Sequence, residues 1–460
     1  MIKLPDAPSS YRAYTRKDLG EILQKHRVSD EDTLIMKSVS AVFPFRVNRH
    51  VVDHLIDWDN VPNDPIYQLT FPQANMLEEK ELAHMLSLVR KGVSEKEIKA
   101  EARKIQTKLN PQPAGQMELN VPSIDAEPVE GIQHKYTQTV LFFPSAGQTC
   151  HAYCSYCFRW AQFIGVGDLK FAAKKAAQLV DYLRQHKEVT SVLITGGDPL
   201  IMKTSVLRRY IEPLLNSGLD HISSIRIGTK ALGFWPYRFT TDEDADDLLR
   251  LFEEVRQAGK NLALMAHVSH PQELIPEVAQ RAFRRVIDTG ATIRCQAPLI
   301  RHVNDNAQVW ADMWQTQVRL GAVPYYMFVE RDTGAQAYFE VPLERAYHIF
   351  NGAIEQCSGL ERTVRGPSMS ASPGKVLIDG ITEIAGEKVF SLRFVQARNS
   401  QWVNRPFFAQ FNPNATWLDD LKPAFGEEEF FFESEMRGMM QSSQSASAPQ
   451  RLQNLLTVVS

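Results

Sequence analysis

From about residue 138 onward, short apolar runs alternate with stretches whose apolar residues recur three and four apart. Those are the two spacings that separate strands from amphipathic helices. Gln138–Phe143 (QTVLFF) reads as a strand, and Ala173, Ala176, Ala177, Val180 and Leu183 set a helix over Leu169–Lys187. Ser191–Thr195 is a short strand closed by Gly196-Gly197-Asp198-Pro199; helix Ser205–Leu215 and strand Ile222–Gly228 follow. Thr241 is placed to cap a helix over Asp242–Ala258, whose acidic first turn suits the helix dipole and which Gly259 ends. The rest alternates in the same way: strand Asn261–His267, helix Pro276–Thr289 stopped by Gly290, strand Ala291–Ala297, helix Ala307–Leu320 stopped by Gly321, strand Val323–Val329, helix Pro342–Cys357.

Strands of buried type, each followed by a helix, predict an α/β fold with a parallel array. Right-handed crossovers would roll it into a barrel or partial barrel with its chemistry at the C-terminal strand ends. The polar motifs sit there: a cysteine loop after the first strand, Gly-Gly-Asp-Pro, His267 and Glu330-Arg331. Four regions are expected. Residues 1–130 form a helical extension and linker, 131–365 the barrel, 366–435 an irregular C-terminal segment, and 436–460 a disordered tail with a Ser/Gln/Ala/Pro-rich stretch.

The 460 residues carry a net charge of −3, so no basic excess supports nucleic-acid binding. No apolar run is long enough for a membrane span, and the N-terminus lacks a signal-peptide pattern, which makes the cytoplasm the expected address. Five cysteines make no disulfide framework. Three of them, Cys150, Cys154 and Cys157, share eight residues in a C-x3-C-x2-C pattern. A structural zinc site would need a fourth ligand, such as His151 or a distant Cys. An iron–sulfur cluster is the sharper reading, because thiolates hold such clusters and three of them leave one iron of a 4Fe–4S cubane open to a ligand.

That spacing, with Tyr156 just before the last cysteine, resembles the hallmark of the radical S-adenosylmethionine (SAM) superfamily. The resemblance implies a 4Fe–4S cluster on Cys150, Cys154 and Cys157, and SAM as a cofactor cleaved to a 5′-deoxyadenosyl radical. It implies SAM contacts from Tyr156 and from Gly196, Gly197 and Asp198, with the acid pairing the methionyl ammonium. It also implies a partial (β/α)6 barrel of the radical SAM type.

His267-Val268-Ser269-His270-Pro271 resembles a segment of lysine 2,3-aminomutases. The likeness extends, in order from His134 to Lys375, through Arg226-Ile227-Gly228-Thr229, Gln296, Leu299-Ile300-Arg301, Val303-Asn304-Asp305 and Pro324-Tyr325-Tyr326. It implies that His267 and Gln296 touch SAM, and that Arg159 grips a substrate carboxylate. It further implies that pyridoxal phosphate (PLP) joins Lys375 in Ser372-Pro373-Gly374-Lys375, with Lys135 near the phosphate. The chain departs from the family where a second phosphate-binding arginine would fall, at Thr139. It departs again at two aspartates that would hold a lysine side chain: the first falls on Arg331, with Asp332 one place later, and the second near Ala371 or Ser372. An aminomutase acting on an amino acid other than lysine is therefore expected. Its partners would be a small-molecule amino acid and a reductant such as flavodoxin or ferredoxin; nucleic acid and membrane are not expected, and a homo-oligomer is left open. A PLP-independent epimerase, dehydrogenase or peptide modifier is the alternative, and a non-catalytic iron–sulfur module the more distant one.

Overall fold

The computed structural model describes residues 10–441 apart from 117–118, 126, 166–170 and 175. Its centre is an eleven-stranded sheet in which every strand pairs with its sequence neighbours. The strands are β1 (Ile132–Tyr136), β2 (Thr139–Phe142), β3 (Ser191–Ile194), β4 (Ser224–Thr229), β5 (Asn261–His267), β6 (Thr292–Leu299), β7 (Val323–Val329), β8 (Arg365–Ser370), β9 (Gly374–Ile384), β10 (Glu387–Ala397) and β11 (Pro406–Gln410). Pairing is parallel from β2 through β8 and antiparallel at both ends. A helix fills each crossover between parallel strands: α1 (Ala177–Gln185), α2 (Thr204–Asn216), α3 (Ala245–Gln257), α4 (Glu277–Asp288), α5 (Ala307–Arg319) and α6 (Leu343–Glu355).

Side-chain alternation explains why these strands sit where they do. Val140, Phe142, Val192, Ile194, Ile225, Ile227, Leu262 and Leu264 point toward the helices and are buried in one core with them. Their alternates, including Thr139, Leu141, Leu193, Arg226, Met265, Gln296 and Phe328, face the other way and line a cavity. The sheet curls around that cavity: Lys135 on β1 donates through Nζ to the carbonyl of Ala371, between β8 and β9.

Three expectations need correction. The segment after residue 365 is not irregular: β8–β11 extend the sheet, with Phe390, Leu392, Phe394 and Trp402 in a core of their own. The acidic-aromatic run Glu427–Glu433 belongs to this core, since Phe430 and Phe432 are buried in it while Glu427, Glu428 and Glu429 before them stay exposed. Residues 433–441 are helical, and the rest of the expected tail lies outside the described residues. Thr241 does not cap a helix. α3 starts at Ala245 because the acids before it hold the preceding loop instead: Asp242 accepts from the Trp235 indole, and Asp244 from Arg238 and the Thr204 amide. The first helix is shorter than expected at both ends, α1 covering Ala177–Gln185, and part of the stretch before it is outside the described residues.

The N-terminal region is mainly helical, with helices such as Asp30–Val42, Glu79–Lys91 and Glu95–Gln106 and a small β ladder joining Ala13–Thr15 to Arg46–Asn48. Its core continues into Ala152, Tyr156 and Trp160 of the cysteine loop. It is a clamp on that loop: the amide of Tyr153 donates to Arg46 O, and Ser155 donates to Leu69 O through its amide and to Gln68 O through its hydroxyl.

Candidate active site

The cysteine loop follows β2 and is wound as consecutive turns. Cys157 N donates to Cys154 O and Trp160 N to Cys157 O, which folds C-x2-C back on itself. Its base is locked to the next strand's loop: Gly197 N donates to Gly147 O, and Asp198 N to Thr149 O. This contact is why two glycines stand there. A Cβ at Gly196 would come 2.2 Å from Gln148 Nε2, and one at Gly197 2.4 Å from Thr149 O. The glycines therefore allow the close approach of the Gln148 side chain and the Thr149 backbone, and both also line the cavity.

Asp198 lines the cavity and also braces the loops around it. Its carboxylate accepts from the Thr229 hydroxyl, from Leu200 N and from Lys230 N. It ties the ends of β3 and β4 together beneath the cysteines, where His151 Nδ1 lies 3.8 Å away. Asp198→Ala would leave three buried donors without acceptors, each costing about 1–3 kcal/mol. A loss of several kcal/mol in a urea melt is expected; wild-type stability would return the carboxylate to a ligand-binding role.

The three thiols lie together at one end of the cavity. Burial raises all of them, Cys154 to about 12 and Cys157 to about 11, and the sulfurs of Cys154 and Cys157 add to the rise at Cys150. Among the described residues no three His, Cys, Asp or Glu side chains converge as a single metal ion requires. A cubane asks less convergence, since its thiolates bind different irons, so the donor set fits a cluster better than it fits zinc with His151. Beside the thiols, Tyr156 is buried edge-on to Phe339, and His267 lies 3.0 Å from Gln296 Nε2. Burial, with Lys230 and Arg159 nearby, drives the His267 imidazole down to about 3, so it is neutral.

The other end of the cavity is rich in cations, and their partners are neutral. Lys135 donates to Ala371 O, Arg331 to Ser370 O, Lys375 to Gln396 Oε1, and Arg159 to Thr195 Oγ1 and Gly196 O. Arg226 reaches Thr139 Oγ1 from the neighbouring strand, so a guanidinium does stand beside the position where the family arginine is missing. The ammonium of Lys135 is pushed well down by burial and by Arg398, Arg331 and Lys375. The Nε atoms of Arg159, Arg226 and Arg331 are buried without a partner among the described residues. Buried, unsatisfied cations of this kind fit anionic ligands.

Lys375 lies on β9, next to Gly374 and 4.3 Å above the Tyr326 ring. Burial, with Arg226 and Arg365, lowers its amine from 10.5 to about 7. It is therefore a nucleophilic amine near neutral pH. Because the folded chain then holds fewer protons than the unfolded one, stability rises with pH between those two values. Lys375→Met removes the titrating group and is expected to flatten that rise in a series of urea midpoints; equal slopes would mean the folded amine keeps its proton.

All thirteen residues expected from the sequence line this one cavity of about 350 Å³. Sequence reasoning noted Glu330 at a strand end and Arg226 in the family likeness but gave neither a site role, and it did not single out Lys230 or Gln396, which line the cavity too, nor Glu273, whose buried carboxylate pairs with Lys230 at 2.7 Å. The signal for Arg226 was available in alternation: it is the polar residue between buried Ile225 and Ile227. Lys230 and Glu273 are 43 residues apart, and no local pattern joins them.

No protein-family model matches the chain. Curated relatives do. A protein of Aquifex aeolicus (strain VF5) that carries the name L-lysine 2,3-aminomutase provisionally is 31% identical over 403 residues, which is 87% of this chain and 93% of that one. The L-lysine 2,3-aminomutase of Clostridium subterminale is 27% identical over 252 residues, 53% of this chain and 57% of that one. Among solved structures, a radical SAM methyltransferase from Sphaerobacter thermophilus superposes with a TM-score of 0.35 at 14% identity, over 64% of this chain and 94% of that one. Streptococcus suis SuiB gives 0.30 at 16%, over 54% and 50%. Superpositions that loose carry no argument; the extended match to the Aquifex protein does. The chain belongs to the lysine 2,3-aminomutase-like family of radical SAM enzymes.

Proposed function

We propose that this radical SAM enzyme moves an amino group between adjacent carbons of a small amino acid other than lysine, using PLP. The observation that carries the reading is Lys375, an amine lowered to about 7 in the same cavity as the three thiols. When bound, the cluster and SAM supply a hydrogen-abstracting radical, and PLP supplies the electrophile that holds the migrating nitrogen.

The chain's own residues would bind and orient. Cys150, Cys154 and Cys157 hold the cluster, leaving one iron for SAM. Tyr156, His267 and Gln296 bound the SAM side, with Gly196, Gly197 and Asp198 fixing the loops beneath it. A neutral His267 can give or accept a hydrogen bond without repelling a sulfonium. Lys135, with Arg398 close enough to lower its amine, suits a phosphate. Arg159 is braced by Thr195 and Gly196, with its ring contact to Phe143 at 4.8 Å, so that its Nε edge can meet a carboxylate bidentately. The six parallel βα units support a partial (β/α)6 barrel as the frame. A reductant such as flavodoxin or ferredoxin would feed the cluster. No helix among the described residues is long and apolar enough to cross a membrane.

The test is a reconstituted enzyme given PLP, SAM, dithionite and single amino acids. A β-amino acid product together with 5′-deoxyadenosine is expected. 5′-Deoxyadenosine with no PLP uptake and no amino shift would favour the PLP-independent reading.

A further inference from the structure

Arg331 stands where a lysine-specific site would need a carboxylate, and its surroundings say what it would hold instead. It follows directly on β7, beside Glu330, and successive side chains of an extended chain point to opposite sides. Glu330 is buried and lines the cavity, where burial pushes its carboxyl well up. Burial disfavours the Arg331 charge, Asp332, Tyr136 and Glu330 support it, and that charge in turn helps to lower Lys135.

Arg331 is also paired, across one ring, with Arg159. The Phe158 ring carries the Arg331 guanidinium 4.9 Å from its centroid and that of Arg159 at 5.0 Å. Both are half-buried, and each keeps a buried Nε donor without a partner among the described residues. Two like charges held against one apolar ring are costly unless something anionic joins them. A molecule with a carboxylate at each end of a short chain would satisfy both forks and cancel both charges.

We propose that the substrate is a dicarboxylic amino acid such as glutamate, with its α-carboxylate on Arg159 and its side-chain carboxylate on Arg331. This rests on the aminomutase reading and narrows it. The amino shift it implies is a plain isomerisation: the C2–N bond breaks, a C3–N bond forms, and one hydrogen moves from C3 to C2. Lysine fits poorly, because its ε-ammonium would meet Arg331 and Lys135. Glutamine has the shape without the charge and leaves a guanidinium uncompensated.

The test uses the reconstituted holoenzyme with L-glutamate, L-glutamine and L-lysine, measuring binding by titration calorimetry alongside β-amino acid formation. Glutamate is expected to bind about 10- to 100-fold tighter than either competitor, the range for a lost charged hydrogen bond. Arg331→Gln should remove that preference and raise the KM for glutamate by a similar factor while retaining bound PLP. Equal binding of lysine or glutamine by the wild type would overturn the proposal. So would loss of PLP in Arg331→Gln, which would assign the arginine to the phosphate. If no amino acid rearranges, the aminomutase reading fails, and the binding series still decides the ligand class: Arg331-dependent glutamate binding upholds it, and its absence overturns it.

Discussion

Cys154→Ala is expected to purify and fold, yet to hold only background iron and sulfide after anaerobic reconstitution and to make no 5′-deoxyadenosine. Cys150→Ala and Cys157→Ala should behave alike. The cubane is held only by protein thiolates, and with two left it has too few anchors to persist. Nothing nearby takes over a lost position: His151 is directed toward Asp198, and Cys295 lies on the helix-facing side of β6 in the hydrophobic core. Cys357 follows α6, far along the chain and buried in that core as well. Cys295→Ala and Cys357→Ala should therefore keep wild-type iron. Wild-type iron in Cys154→Ala would remove the basis for the whole site.

Lys375→Ala is expected to lose covalent PLP entirely while keeping its cluster and its ability to cleave SAM. In the wild type, borohydride should fix PLP to the peptide that contains Lys375. The separation follows from the fold: Lys375 comes from β9, on the antiparallel extension of the sheet, whereas the thiols follow β2 and the remaining SAM-side groups follow β3, β5 and β6. Lys135→Ala should weaken PLP further, since that amine is held near Arg398, Arg331 and Lys375 and donates to a backbone carbonyl rather than to a carboxylate. PLP retained on Lys375→Ala would place the cofactor on another amine.

The parallel strands could be read directly because each is a run of apolar residues with a clear stop. Asn261–His267 and Val323–Val329 match residue for residue. Gly290 and Gly321, both near φ +79°, end helices as their positions suggest. The C-terminal strands were hidden by their own irregularities. Ser372-Pro373-Gly374 and Asp379-Gly380 look like turns, and the pairing of β9 with β10 slips between Lys375 and Val376 and again between Ile378 and Gly380. A strand with bulges loses the strict alternation by which it is recognised. For the site, cysteine spacing and strand ends pointed to the thiols and the Gly-Gly-Asp-Pro turn, and the family resemblance supplied the other residues that share the cavity. What stayed out of reach depended on curvature. Arg398 lies beyond the last predicted helix, yet it donates to Leu119 O and Asn120 Oδ1 of the N-terminal linker. Asp198 showed its residue type but not its distant partners, Thr229 and Lys230 at the end of β4.

The most direct test of the central claim is the electron paramagnetic resonance spectrum of the dithionite-reduced, reconstituted protein, recorded before and after adding SAM. Three thiolates and an open iron predict a reduced 4Fe–4S signal whose g-values shift when SAM takes the fourth site, and a wild-type shift that Cys295→Ala retains. A signal that SAM leaves unchanged would mean a fully ligated cluster, and would contradict the assignment of this cavity to radical chemistry.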